Sequence, residues 1–234
     1  MKKFLHIILS LMLLSSLSFA YFGMGFGLGG YTFGDIKPKK GFWAEHIVIN
    51  EDGTKTKMKT VFAGETTYKG KKVYVLENQV YFDGQNMATM MLYDPKKYEV
   101  LKVATQTPMG LMCQDMQALQ GMAQGGESYS KDSTPKYENP HEIKRKYPKI
   151  KHSSYTTPTG KKLDCVVYKT DEGEIWLNKK LGIVKVVQNG KKVMYLKDFG
   201  ENGTTIIPID QAISCQPMPM FPMGGMPPMG GMPQ

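Results

Sequence analysis

Short apolar runs, broken every few residues by turn signals, limit what this chain can become more than any other feature it has. Residues 42–49 (Phe-Trp-Ala-Glu-His-Ile-Val-Ile) read as a strand and are followed by the turn Glu51-Asp52-Gly53. Further runs at 57–63, 72–79, 86–93 and 98–104 are set off by Tyr68-Lys69-Gly70, Asp83-Gly84 and Asp94-Pro95. Runs this short, closed by Gly, Asp or Pro, read as strands, and connections this tight join neighbouring antiparallel strands. A second set lies at 162–169, 174–177, 183–188 and 191–199, and the Asn189-Gly190 pair before its last member is the strongest hairpin turn in the chain. The sets echo each other. Gly70-Lys71-Lys72-Val73 is matched by Gly160-Lys161-Lys162-Leu163, and Lys96-Lys97 ahead of 100–103 by Lys179-Lys180 ahead of 183–186. The expected fold class is mainly β (α+β), with both sets continuing one antiparallel sheet.

Residues 105–159 lie between the sets and are too many for a structureless loop. Met109, Met112, Met116 and Leu119 are spaced by three, four and three, which predicts one face of an amphipathic helix. After the Gly125-Gly126 break, Asn139-Pro140-His141-Glu142 predicts a second helix start, with Asn as cap, Pro at the first position and Glu placed for a capping box. That helix should run to about Tyr147 and stop at Pro148. The expected organisation is a Gly-rich flexible leader over 21–40, a β domain over 41–210 with a helical insertion at about 108–150, and a tail over 211–234. The tail is built largely of Met, Pro and Gly, a composition that cannot bury a core and is expected to be disordered.

The first 20 residues predict export. Lys2 and Lys3 precede an apolar stretch over 4–14, and Ser18 and Ala20 place small residues where signal peptidase reads them. The stretch is shorter than the ~20 residues that span a bilayer, so cleavage near Ala20 and a periplasmic or secreted, not membrane-spanning, protein are expected. Loss of Lys2 and Lys3 with the leader takes the formal charge from +9 to +7. Arg145 is the one arginine. Nucleic-acid readout favours arginine, and an exported protein meets little nucleic acid, so that partner is not expected.

Catalytic patterns are missing. His46, His141 and His152 fall in no zinc-site spacing, and no nucleophile elbow is present. Glu45 and His46 on a strand point to opposite faces and are no natural pair. The chain is therefore expected not to be an enzyme. Cys113, Cys165 and Cys215 allow one disulfide and one free or intermolecular thiol, with the pairing left open.

Trp43 opening a strand, the stretch 68–77 (Tyr-Lys-Gly-Lys-Lys-Val-Tyr-Val-Leu-Glu) and the stretch 174–186 (Glu-Ile-Trp-Leu-Asn-Lys-Lys-Leu-Gly-Ile-Val-Lys-Val) resemble the lipoprotein-carrier (LolA/LolB-like) half-barrel superfamily, nearest its uncharacterised exported members. The resemblance covers roughly 41–199. It implies a strongly curved antiparallel sheet with helices in its concave face, which shelters acyl chains in carrier members. The arginine with which carriers latch that cavity has no counterpart here, so only the apolar concavity transfers.

The expected function is non-catalytic binding of an apolar or lipid-like ligand. Candidate contacts are Trp43, Met90, Leu92, Trp176 and the Met109, Met112 and Met116 face; the alternative is that these side chains pack on one another as core. A second reading is soft-metal binding. Met218, Met220, Met223, Met226, Met229 and Met232 in the tail carry thioethers that suit Cu(I) or silver, and Cys215 beside them could add a thiolate. A third reading is a structural module that contacts other envelope proteins.

Overall fold

The computed structural model describes residues 37–50, 52–82, 85–97, 99–108, 110–116 and 140–216. The predicted leader cleavage, the Gly-rich stretch before residue 37, and the tail methionines lie outside them.

Eleven strands form a single antiparallel sheet: β1 Trp43–Ile49, β2 Lys55–Tyr68, β3 Lys71–Phe82, β4 Gln85–Asp94, β5 Glu99–Thr107, β6 Gly110–Asp115, β7 Lys149–Thr156, β8 Lys162–Lys169, β9 Gly173–Asn178, β10 Gly182–Gln188 and β11 Lys191–Gly200. Their order is β6-β5-β4-β3-β2-β1-β11-β10-β9-β8-β7. Each sequence set is thus a meander, and β11 pairs with β1 to join them. The sheet does not close, because β6 and β7 are its two edges. Turn chemistry fixes the register at two hairpins. Lys69-Gly70 and Asn189-Gly190 all have positive φ (48°, 74°, 50° and 74°), the two-residue turn whose twist matches the flanking strands.

Helix α1 (Pro140–Lys146) begins at the predicted proline. Its Ile143 is 1% exposed and packs on Tyr168 and Leu177, with Val166, Ile175 and Ile183 alongside. The alternate residues of β8, Leu163 and Cys165, belong to a different cluster with Phe42, Ala44, Leu181, Val184 and Leu196. Successive side chains on a strand point to opposite faces, so this half buries both faces of its sheet. The Tyr155 hydroxyl on edge strand β7 donates to the Leu196 carbonyl on β11. Three strands lie between them in the sheet order, and at ~4.8 Å per step a flat sheet would hold them far apart. This half is bent.

Three expectations need correction. Residues 110–115 are strand β6, not part of a Met-faced helix, and Met109 lies outside the described residues. Pairing with β5 sets the faces instead: Met112 opposes Thr105 and Cys113 opposes Ala104, so the two point to opposite sides of the sheet. Among the described residues the insertion contributes α1 as its helix, and residues 149–156, for which no strand was expected, form β7. The tail does not begin at 211. Residues 209–214 (Ile209–Ser214) form helix α2, and the described chain continues to Gln216. Ile207, Ile209 and Ile213 give that segment apolar anchors that the Met-Pro-Gly repeats lack.

Candidate functional site

Beyond Gly200 the chain turns back and crosses the β1–β6 half of the sheet as a strap. The sheet residues beneath it form an unbroken cross-strand row: Trp43, Val61, Glu77, Met90, Ala104 and Cys113. Directly opposed residues share a face, so all six point at the strap. Its anchors follow the row in order. The Trp43 indole Nε1 donates to the Glu201 carbonyl at 3.2 Å. Gln79 donates to the Thr204 carbonyl at 2.9 Å. Glu77, fully buried, accepts the Ile206 amide on one oxygen and the Ile207 amide on the other, each at 2.7 Å. Ile207 and Ala212 pack on Ala63, Val75, Ala88, Met90 and Ala104. Ile213 packs on Tyr68, Val73, Leu92 and Leu101.

The far end is held twice. The Lys102 ammonium donates to the Ile213 and Cys215 carbonyls at 2.7 Å each, supplying donors to carbonyls that a helix C-terminus leaves unpaired. Burial lowers the Lys102 pKa, against a raising pull from Asp115. Cys113 and Cys215 then form a disulfide between edge strand β6 and the strap. Cys215 therefore has no thiolate to offer a soft metal, and the copper reading is left with the tail methionines alone. Cys165 is a buried free thiol whose pKa is pushed up to about 11, chiefly by burial.

The opposite face of β1–β5 is different in kind, and three rows cross it. Phe62, Leu76, Met91 and Val103 make an apolar row. Ala44, Thr60, Asn78, Thr89, Thr105 and Met112 make the second. Its polar members bond one another: Thr60 donates to Asn78 at 2.6 Å, and the Thr89 and Thr105 hydroxyls lie 3.3 Å apart. His46, Met58, Val80 and Met87 make the third. No Lys, Arg, Asp or Glu stands in any of these rows. The lysines of β2 lie on the strap side, where Lys57 and Lys197 flank Glu45 at 4.0 and 2.8 Å. Glu65, opposite Tyr74, lies at one end of the other face, paired with Lys37 at 2.6 Å and Lys72 at 2.9 Å. Glu45 and His46 do point to opposite faces.

The predicted ligand contacts are thus not one constellation. Trp43, Met90 and Leu92 lie on the strapped face, Met90 and Leu92 fully buried there. Met112 faces the other way. Met116 follows β6 and is half-buried. Trp176 packs beside the Cys165 cluster and donates to Glu174 at 3.0 Å. The reading from sequence missed Phe62, Leu76, Met91 and His46. Their signal was present as a buried strand with apolar residues on both faces, such as the 87–92 run Met-Ala-Thr-Met-Met-Leu.

His46 is 3% exposed, and burial lowers its pKa to about 4. Its ring is neutral at pH 7. Among the described residues no helix is long and apolar enough to cross a membrane, which says nothing of β-barrels.

Comparison with known proteins adds little. No family model matches the chain, and no curated protein does. A crystal structure from Bacteroides fragilis, described as a candidate exported protein with a YmcC-like fold, aligns over 74% of this chain and 100% of its own at 12% identity, with a TM-score of 0.32. At that TM-score the fold rests on this chain's own strands.

Proposed function

We propose that this is an exported, non-catalytic binding protein, its sheet bent into a half-barrel, which holds an apolar or lipid-like ligand on the face away from the strap. The observation that carries this reading is the division of labour between the two faces. One is closed by the chain's own strap, with a disulfide and a buried carboxylate as locks. The other holds Phe62, Leu76, Met91 and Met58, which are 1%, 3%, 8% and 3% exposed, and half-buried Val103, in rows without a charged side chain. The charges of that face, Glu65 with Lys37 and Lys72, stand at its Tyr74 end. Apolar area is what an acyl chain needs, at about 25 cal/mol per Å² removed from water. Methionine, unbranched and polarizable, suits chains of varying shape. The resemblance to lipoprotein carriers and the expected periplasmic or secreted location fit this use.

The test is native mass spectrometry of protein purified from its own host, with Met87→Lys and Val103→Lys as variants. Both positions are half-buried, so a lysine there can reach water and still set a charge on the face. A co-purifying lipid mass in the wild type, reduced at least about tenfold in both variants, is expected because a charge is costly against an apolar guest. A bare chain that also takes up no fluorescent acyl probe would overturn the proposal.

A further inference from the structure

The chemistry of the ligand can be narrowed, on the assumption that the apolar-ligand reading above holds. His46 stands on β1 directly opposite Met58 and beside Leu196 of β11. Its Nε2 lies 3.0 Å from the carbonyl oxygen of Ile183 on β10. A carbonyl can only accept, so the proton sits on Nε2 and the ring's lone pair is left on Nδ1. Among the described residues, Nδ1 is the one buried side-chain nitrogen or oxygen without a hydrogen-bond partner. Neighbouring hydroxyls are engaged elsewhere. Thr60 donates to Asn78, Thr56 accepts from Asn50 at 3.2 Å, and neither hydroxyl lies within bonding distance of Nδ1. Buried acceptors are ordinarily satisfied, and this one stands at the end of the apolar Met58, Val80 and Met87 row. The His46 row and the row beside it carry no charged side chain to offset a buried ion, the charges of that face standing at its Tyr74 end, so an anionic or cationic head would be held beside His46 at a penalty.

We propose that His46 Nδ1 accepts a hydrogen bond from the polar end of the ligand, and that the ligand is an uncharged amphiphile whose head carries a donor such as a free hydroxyl. A neutral imidazole with one lone pair recognises a hydroxyl hydrogen and gives nothing to an ether oxygen. The rows of Met58, Val80 and Met87, and of Phe62, Leu76 and Met91, then take the alkyl part.

Three probes of equal chain length separate the readings: a long-chain primary alcohol, its methyl ether, and the matching carboxylate at pH 8, each titrated into delipidated protein. The alcohol should bind about tenfold more tightly than the ether, or roughly 1.4 kcal/mol, the scale of one neutral hydrogen bond. The carboxylate should bind more weakly than the alcohol. In His46→Phe the alcohol's advantage should vanish while the ether's affinity stays. Nitrogen-15 spectra of the wild-type imidazole give a second readout that needs no variant: Nδ1 should move upfield with the alcohol and stay still with the ether. Equal binding of alcohol and ether with an unmoved Nδ1, or tightest binding by the carboxylate, overturns this inference and leaves the apolar-ligand reading standing. Failure of all three to bind removes both.

Discussion

Glu77 is the residue on which the strap depends most, and its substitution gives a prediction with a definite size. It is fully buried, and each carboxylate oxygen takes one strap amide at 2.7 Å. Gln79 steadies the group by donating to Oε1 at 2.8 Å. Glu77→Gln keeps the shape but leaves one acceptor oxygen. One of the two amides must then face an NH₂ donor. A hydrogen bond to a charged group contributes about 1.5–3 kcal/mol, and the surviving bond falls to the neutral scale of about 1. The combined loss should be about 3 kcal/mol. Because Cys215 still tethers the end, the loss should appear first as local opening. Hydrogen exchange of peptides spanning 201–216 should quicken by roughly a hundredfold, since every 1.4 kcal/mol is tenfold. Urea unfolding should show a smaller shift, which grows when Glu77→Gln is combined with Cys113→Ser and Cys215→Ser. Exchange at 206 and 207 within about twofold of wild type would refute the claim that Glu77 holds the strap.

Three further outcomes follow from the same geometry. Replacing both Cys113 and Cys215 by Ser, which frees a connection of 102 residues, should lower the unfolding free energy by about 2–5 kcal/mol; with the disulfide intact, a thiol reagent should find no fast-reacting cysteine until Cys165 is exposed by denaturant. Burial lowers the folded pKa of His46 to about 4 from 6.5, so the unfolded chain binds the extra proton and stability falls as pH drops through that window. Between pH 7.5 and 4.5 the wild type should lose about 2.5 kcal/mol more than His46→Phe in urea unfolding, and equal losses would contradict this. Gly173→Ala would put a Cβ 2.1 Å from the Val187 carbonyl oxygen and 2.9 Å from its carbon. The backbone must shift, at about 2 kcal/mol, and a melting curve unchanged from wild type would exclude the clash.

The strands announced themselves where turn chemistry and apolar runs agree, and nine of them lie where the runs place them. The misses have physical causes. Strand β7 is an edge strand whose Lys149, Ile150, Lys151 and His152 are all exposed, so no inward face patterns it. Strand β6 was hidden by methionines whose helical spacing is accidental, since Pro108 and Gly110 favour the turn of a hairpin. Helix α2 has six residues and no side-chain cap at Pro208, too little for a periodic signal. The division into a strapped face and a face with three uncharged rows could not be read before pairing was known, because β3 and β4 carry apolar residues on both sides. One hint was available. Glu77 interrupts a strand whose cross-strand neighbours, Val61 and Met90, are apolar, and a carboxylate in such a row must have donors brought to it from elsewhere.

A spin-labelled acyl chain added to methyl-labelled protein tests most directly which face receives the guest. The Leu76 and Met91 methyl signals should broaden while those of Met90 and Leu92, under the strap, stay sharp. Broadening confined to Met90 and Leu92, or none at any of the four, would contradict the assignment of the ligand to the face away from the strap.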